Sequence, residues 1–296
     1  DFVLISEDTL PLMPDRAPDV HKGQVGRIFV IGGSADMPGA PLLCAYAALR
    51  CGSGLVTVTQ LEKASAAYIA PEIILKRLEG DSGYLELFHL VAFKEEIIKA
   101  ACVVLGPGLG RQESTRAFVR ETVDVLSGLG KFVVLDADAL NLLSDTRGLI
   151  EGFDLSSAVL TPHPGEAARL LNWPISRVQE DRYRAASELH KMSGAAAIVL
   201  KGASTIIYGV RGGLVNLSGN PYMATAGSGD VLSGVIASLI GQGLDPFDAA
   251  VLGVHVHSRA GDSAHARSGG PIVASDFISY LPTVIFDRNC VEINFF

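Results

Sequence analysis

A three-layer α/β/α arrangement around a mainly parallel sheet is the fold class this sequence predicts, and three observations predict it. Short apolar runs of strand length alternate with stretches of helical character. Those runs are continuous instead of alternating, as in strands buried on both faces of a parallel sheet. Glycine is abundant, at 32 of 296 residues, and it clusters where apolar runs end, as tight strand-to-helix turns require. At 48% hydrophobic and 19% charged residues, the chain has ample material for a buried interior.

The elements follow in order. Residues 1–25 carry Pro11, Pro14 and Pro18 with little periodicity, and read as an irregular lead-in with at most one short helix. Arg27-Ile28-Phe29-Val30-Ile31 is a β-branched run that stops at Gly32-Gly33-Ser34. Ala40 to Cys51 is rich in Ala and Leu and reads as a helix, and Leu55 to Val58 as the next strand. Residues 65–100 have no clear pattern until Lys94 to Ala101, which looks helical. Cys102 to Leu105 is a buried-type strand running into Gly106-Pro107-Gly108-Leu109-Gly110, and Ser114 to Gly128 is an amphipathic helix. Phe132 to Leu135 is a strand that stops at Asp136-Ala137-Asp138. Ala158 to Leu160 leads into Thr161-Pro162-His163-Pro164-Gly165-Glu166. Ser176 to Met192 reads as one helix, and Ala197 to Leu200 as a strand ending at Lys201-Gly202. Thr205 to Tyr208 and Gly213 to Leu217 suit a hairpin. Asp230 to Leu239 and Asp248 to Ala264 are apolar helices, and the tail from Phe286 to Phe296 has no recognisable pattern. Without a repeat, low-complexity segment or linker, residues 1–296 are expected to form a single domain.

The formal net charge is -8 and no basic run occurs, which argues against a nucleic-acid partner. No uncharged apolar run reaches the roughly 18 residues of a membrane span, and the N-terminus has no signal-like pattern. A soluble, cytoplasmic protein is the expectation. Cys44, Cys51, Cys102 and Cys290 form no CxxC pair and sit among apolar neighbours, so they read as reduced core or near-core thiols.

Ligands of open α/β sheets bind at the carboxyl ends of the strands. Five clusters mark those ends: Gly32–Ser34, Gly106–Gly110, Asp136–Asn141, Thr161–Glu166 and Lys201-Gly202. A sixth segment, Gly219-Asn220-Pro221-Tyr222-Met223-Ala224-Thr225-Ala226-Gly227-Ser228-Gly229-Asp230-Val231-Leu232-Ser233-Gly234, is a Gly-rich turn entering an apolar helix. Small residues let backbone N–H groups approach an anion there, and the helix start adds its positive dipole end. Asp230 has two readings, an N-cap carboxylate or a general base for a substrate hydroxyl. Asp136 and Asp138 either cap a helix or hold Mg²⁺ through water beside nucleotide phosphates. Glu166 either caps the helix after Pro164 or assists that metal. His163, in a rigid loop between two prolines, favours a substrate contact over a core role. Lys201 is either a solvated charge or a ligand contact, and Gly202 beside it suits close backbone approach. His255 and His257 lie in an apolar helix and read as core or interface residues.

On these blocks the chain resembles the ribokinase-like superfamily and, within it, the ADP/ATP-dependent NAD(P)H-hydrate dehydratases, over residues 22–283. The resemblance implies a ribokinase-like fold and loss of water from a 6-hydroxylated nicotinamide ring, driven by ATP or ADP with Mg²⁺. By position it implies that Ala40, Gly108, His163 and Asp230 contact NADH hydrate or NADPH hydrate. It implies that Lys201, Gly202, Ala203, Ser204, Thr205 and Gly229 hold the adenine nucleotide, and that Ala226, Gly227, Ser228 and Gly229 form the anion hole. Asp230 would be the catalytic base, and the metal would have no direct protein ligand but a water-mediated place near Asp136 and Glu166. A homo-oligomer such as a tetramer is also implied. The alternative on the same fold is a kinase for a vitamin-precursor alcohol such as a hydroxyethylthiazole. The family commonly has Gly where this chain has Tyr222, and Thr where it has Ser228. Many bacterial relatives carry an epimerase domain upstream. About 25 residues precede the first predicted strand, so none is expected on this chain.

Overall fold

The computed structural model describes residues 2–64, 70–144 and 150–286. The chain enters through β1 (Phe2–Leu4) and then lays down β2 (Arg27–Ile31), α1 (Ala40–Arg50), β3 (Leu55–Leu61) and β4 (Ile74–Leu78). Next come α2 (Lys94–Lys99), β5 (Cys102–Leu105), α3 (Glu113–Gly128), β6 (Phe132–Leu135), α4 (Asp138–Ser144) and β7 (Ala158–Leu160). Helices α5 (Pro164–Leu171), α6 (Ile175–Glu180) and α7 (Arg182–Ser193) lead to β8 (Ala197–Leu200) and the hairpin of β9 (Thr205–Gly209) and β10 (Gly212–Asn216). The chain closes with α8 (Ser228–Gly241), α9 (Pro246–Ser268), α10 (Ala274–Ile278) and α11 (Leu281–Phe286).

The strands form one ten-stranded sheet in the order β1-β10-β9-β8-β7-β6-β5-β2-β3-β4. Among the described strands β9 alone runs against the rest, pairing antiparallel with both β8 and β10. Alternate residues of each strand enter different cores. Ile28, Val30, Val104, Val134 and Val199 join α1, α8, α9 and α10 on one face. Phe29, Ile31, Val103, Leu105, Leu135 and Leu200 join α3, α4, α5 and α7 on the other. Strands buried on both faces must be apolar at every position, which explains the continuous runs in the sequence.

The order reverses between β2 and β5, since β2 continues into α1 on one face and β5 into α3 on the other. This switch opens a crevice at the carboxyl edge. Two close approaches shape it. Gly33 N–H donates to the Pro107 carbonyl at 2.8 Å, which links the loops after β2 and β5. Gly106 has φ +135°, and a Cβ there would lie 1.8 Å from the Asp136 carbonyl oxygen, so only glycine lets the β5 and β6 loops meet.

The structure departs from the expected elements in several places. The lead-in contributes a strand, β1, which pairs parallel with β10, besides a 3₁₀ turn at Glu7–Thr9. The stretch 65–100 contains the edge strand β4 and a 3₁₀ segment, Leu87–Phe93, while 65–69 lie outside the described residues. The helix expected over Ser176–Met192 is two helices. Asp181, at φ −138° and ψ 80°, breaks the path and caps the second by accepting from Arg184 N–H at 2.9 Å. Helix α8 starts at Ser228, two residues before Asp230. Cys44, Cys51 and Cys102 are free and buried, whereas Cys290 and the tail beyond Phe286 lie outside the described residues.

The contact of α1 with α8 offers a packing test. A Cβ on Gly234 would stand 2.1 Å from the Cys44 carbonyl, whereas one on Gly128 of α3 meets nothing within 4 Å. Gly234→Ala is therefore expected to cost about 1–3 kcal/mol in urea unfolding. Gly128→Ala is expected to cost nothing or to stabilise slightly. Equal effects of the two would contradict the described packing.

Candidate active site

The clusters at the strand ends do converge. Ion pairs, shared carbonyls and close approaches connect β2, β5, β6, β7, β8 and the start of α8 along the carboxyl edge. At its centre Lys201, just after β8, places Nζ 2.6 Å from Asp136 Oδ1 and 3.9 Å from Glu166 Oε2. Asp136 is 1% exposed, and its other oxygen accepts from Ser233 Oγ of α8 at 2.7 Å. Burial works against the Lys201 charge, but Asp136 and Glu166 more than offset this and hold its pKa above the ordinary value. Lys201 is thus a structural cation inside a carboxylate cluster, and the solvated reading is excluded.

Helix α8 begins beside this cluster. Its N-cap is Gly227 in the left-handed region, φ +86°, where a side chain would also strike Leu43 of α1. The first N–H groups of a helix have no carbonyl behind them. Gly229 and Asp230 occupy such positions, and the Ala226 and Gly227 N–H groups have no hydrogen-bond partner among the described residues. Ser228 N–H is engaged with the Thr225 carbonyl at 3.3 Å. A Cβ on Gly229 would lie 3.2 Å from Lys201 Nζ, so the helix start and the ion pair abut. The arrangement can receive an anion.

Asp230 stands at the third position of α8 and does not cap it. Its carboxylate has no hydrogen-bond partner among the described residues. Burial raises its pKa to about 8, and Asp136, Asp138 and Glu166 add to the rise against the opposing pull of Lys201. Glu166 is likewise pushed up to about 7, first by burial. Glu166 caps α5, accepting from His163 N–H at 2.8 Å. His163 completes that cap, with Nδ1 accepting from Gly165 N–H at 2.9 Å. Nε2 therefore carries the ring proton on a side chain that is 49% exposed. Burial first, then the charges of Lys201, Arg169 and Arg111, lower its pKa and keep it neutral.

Asp138 accepts from Gly110 N–H at 2.9 Å and pairs with Arg111, so neither it nor Asp136 spends its carboxylate on a backbone N–H of α4. Ala40 opens α1 directly against the β5 loop, where a Cβ on Gly108 would lie 3.1 Å from the Ala40 Cβ. The segment from Lys201 to Thr205 curls under Arg182 of α7. That guanidinium donates to the Leu200 and Lys201 carbonyls at 3.1 and 3.2 Å and to the Ala203 carbonyl. Ser204 takes a left-handed conformation, φ +55°, and Thr205 Oγ1 closes the turn on the Gly202 carbonyl at 2.9 Å.

A family model for NAD(P)H-hydrate dehydratase matches residues 28–283. The chain belongs to the NAD(P)H-hydrate dehydratase family. It is 41% identical over 285 residues to a bifunctional NAD(P)H-hydrate repair enzyme of Moorella thermoacetica, covering 95% of this chain and 52% of that one. It is 41% identical over 266 residues to an ADP-dependent (S)-NAD(P)H-hydrate dehydratase of Neisseria meningitidis, covering 86% and 82%. The chain spans about half the length of the bifunctional relatives it matches. Among solved structures it is similar to an ADP/ATP-dependent NAD(P)H-hydrate dehydratase of Bacillus subtilis co-crystallised with ATP/Mg²⁺ (TM-score 0.74, 28% identity, 92% and 93% covered). A hydroxyethylthiazole kinase of Pyrococcus horikoshii shares the fold alone, at TM-score 0.60 and 14% identity.

Against this family background, Tyr222 is accommodated by stacking on His265 of α9 at 4.2 Å, and its loop is anchored by Asn220 Nδ2 donating to Asp262 at 2.9 Å. Mg²⁺, which the family implies, finds oxygen donors here without a direct cage: among the described residues no three His, Cys, Asp or Glu side chains converge to hold an ion. With both Asp136 oxygens engaged, the edge fits an ion held through its own waters near Asp136 and Glu166, as Mg²⁺ commonly is beside phosphates.

Sequence reasoning gives no individual role to Ser233, Arg182 or Asn141, and reads His257 as a core or interface residue. Ser233 follows Asp230 by one helical turn in an apolar run, a spacing that places both toward the sheet edge and was available to be read. His257 is buried, and burial lowers its pKa to about 4. As a neutral ring it donates Nε2–H to the Ser228 carbonyl at 3.0 Å, bracing the first residue of α8. Nothing in the sequence distinguishes that histidine from a core residue.

The Asp230 carboxyl titrates near 8 when folded against an ordinary 3.8. The folded chain keeps this proton where the unfolded chain has released it, so its contribution to stability falls as pH rises between those values, by up to about 1.4 kcal/mol per unit. Asp230→Asn removes that dependence. Its denaturation midpoint should therefore gain on the wild type between about pH 5 and pH 8; a constant difference would place the carboxyl in its ionised form throughout.

Proposed function

We propose that this chain dehydrates NADH hydrate or NADPH hydrate at the expense of ATP or ADP, restoring the reduced nucleotide. The observation that carries the reading is Asp230: a half-buried carboxylate of raised proton affinity, without a hydrogen-bond partner among the described residues, beside the free N–H groups of a helix start. A base near the working pH combines a substantial ionised fraction with strong proton affinity.

In this scheme the Asp230 carboxylate takes the proton of the ring hydroxyl. The hydroxyl oxygen attacks the terminal phosphorus of the nucleotide, and the bond to the departing ADP or AMP breaks. The N–H groups of Ala226, Gly227 and Gly229 receive the charge on the moving phosphoryl group. The phosphate ester at ring carbon 6 then leaves as inorganic phosphate while carbon 5 loses a proton, which restores the ring double bond. Phosphorylation is useful because hydroxide is a poor leaving group and phosphate a good one. Bound Mg²⁺ supplies charge neutralisation to the nucleotide phosphates. Lys201 to Thr205, held by Arg182, would seat the adenine nucleotide, and Ala40, Gly108 and His163 the hydrate. Ser228 keeps the hydroxyl of the commoner Thr. Dependence on ADP or ATP is a property of the named relatives, and its assignment to this chain belongs to the proposal. So do a homo-oligomeric state and a cytoplasmic location; among the described residues no helix is long and apolar enough to cross a membrane.

The test is recovery of NADH absorbance from NADH hydrate. Recovery should require ATP or ADP and fall at least about 100-fold in Asp230→Asn. In the wild type kcat/KM should rise with pH to a limb near 8, the value of Asp230 in the free protein. Stable phosphorylation of an alcohol without absorbance recovery would favour the kinase alternative, and an undiminished rate in Asp230→Asn would remove Asp230 as base.

A further inference from the structure

Two arginines at the rim of the site remain without a role in this scheme. Arg111 follows the β5 loop, and Arg169 lies on α5, about one and two-thirds turns beyond His163. Both are exposed, the Arg111 side chain by 53%. Exposed arginines ordinarily sample many rotamers. These two are tethered to one another through Asp138 and the buried Asn141. Arg169 Nε donates to Asn141 Oδ1 at 2.9 Å, Asn141 Nδ2 donates to Asp138 Oδ1 at 3.4 Å, and Arg111 Nε meets the same Asp138 oxygen at 3.3 Å. Asp138 is pinned in turn by Gly110 N–H on its other oxygen at 2.9 Å, and Asn141 is only 4% exposed.

The tether uses the Nε of each arginine. Among the described residues the Nη groups of both have no hydrogen-bond partner. Both guanidinium charges act on His163 and lower its proton affinity. Asp138 pairs directly with Arg111, and Arg169 reaches it only through Asn141, while Asp136 and Glu166 face Lys201. The tether holds both guanidinium groups in place at the carboxyl edge. Planar guanidinium forks with free Nη groups are suited to phosphate oxygens.

We infer that Arg111 and Arg169, aligned by the Asp138–Asn141 tether, form a phosphate clamp for the dinucleotide substrate beside His163. The inference rests on the reading of the site as an NAD(P)H-hydrate dehydratase. The clamped group is a phosphate of the reduced dinucleotide, supplied by its diphosphate bridge or by the 2′-phosphate of the NADPH form. The terminal phosphates of ATP or ADP are assigned to the helix start at Gly227–Asp230, which abuts the Lys201–Asp136 pair.

The test uses Arg111→Gln and Arg169→Gln, both at exposed positions, with two readouts. The first is the KM of each substrate in the absorbance assay. The second is direct fluorescence titration of the protein with NADH and with NADPH, without nucleotide or turnover. Each variant should weaken dinucleotide binding about tenfold or more, the scale of a lost charge-assisted hydrogen bond, and raise the KM of the hydrate alike. The KM of ATP or ADP should keep its wild-type value. Equal weakening for NADH and NADPH assigns the clamp to the diphosphate bridge, and weakening confined to NADPH assigns it to the 2′-phosphate. Unchanged binding of both dinucleotides, or a loss that falls on ATP or ADP, overturns the clamp. A wild type that binds the dinucleotides through these arginines yet restores no NADH would leave the clamp standing and remove the dehydratase reading.

Discussion

The ion pair between Lys201 and Asp136 is the interaction on which the rest of this site depends. It joins the ends of β8 and β6, and through Ser233 it reaches α8, so three elements from distant parts of the chain are fixed by one buried charge. A buried lysine without a partner would lose its proton, and a buried aspartate without one would gain it. Here Asp136 helps to keep Lys201 charged. With Asp136 engaged, Asp230 is left as the carboxylate with no direct cation of its own, and burial with like-charged neighbours raises its proton affinity.

Around that pair the backbone is held by contacts outside the reacting centre. Arg182 gathers three carbonyls of the Leu200–Ala203 segment, and His257 holds the carbonyl of Ser228. Asn220 and Asp262 anchor the loop that leads to the helix start. Each spends a side chain from one element on the backbone of another. Preorganised N–H groups act on developing charge without reorganising as it forms, and such bracing maintains the preorganisation. The same economy governs the rim, where Asp138 and Asn141 orient two arginines that would otherwise move freely.

Much of this was legible beforehand, for identifiable reasons. The runs at 28–31, 102–105, 133–135 and 197–200 are buried on both faces, so their apolar character is unbroken and visible. Edge elements gave weaker signals: β4 carries Lys76 and Arg77 on a half-solvated edge, and β1 has only three residues, which acquire meaning by pairing with β10. The helix read across Ser176–Met192 had suitable periodicity, yet a single non-helical residue, Asp181, divides it. Asp230 was placed at the opening of its helix. Gly227, free to take a left-handed conformation, moves that opening earlier and leaves the carboxylate inside the first turn instead of on the cap.

The sequence by itself determined the layered α/β class, the strand ends as the functional edge, and the Gly-rich entry to α8 with its aspartate, because these follow from local periodicity, turn chemistry and helix-end dipoles. Tertiary structure alone decided which charges meet. Lys201 faces Asp136 across 65 positions, Ser233 meets Asp136 across 97, and Arg169 finds Asn141 across 28. Burial and Coulomb forces depend on distance in space, and only the folded sheet, with its switch between β2 and β5, sets those distances.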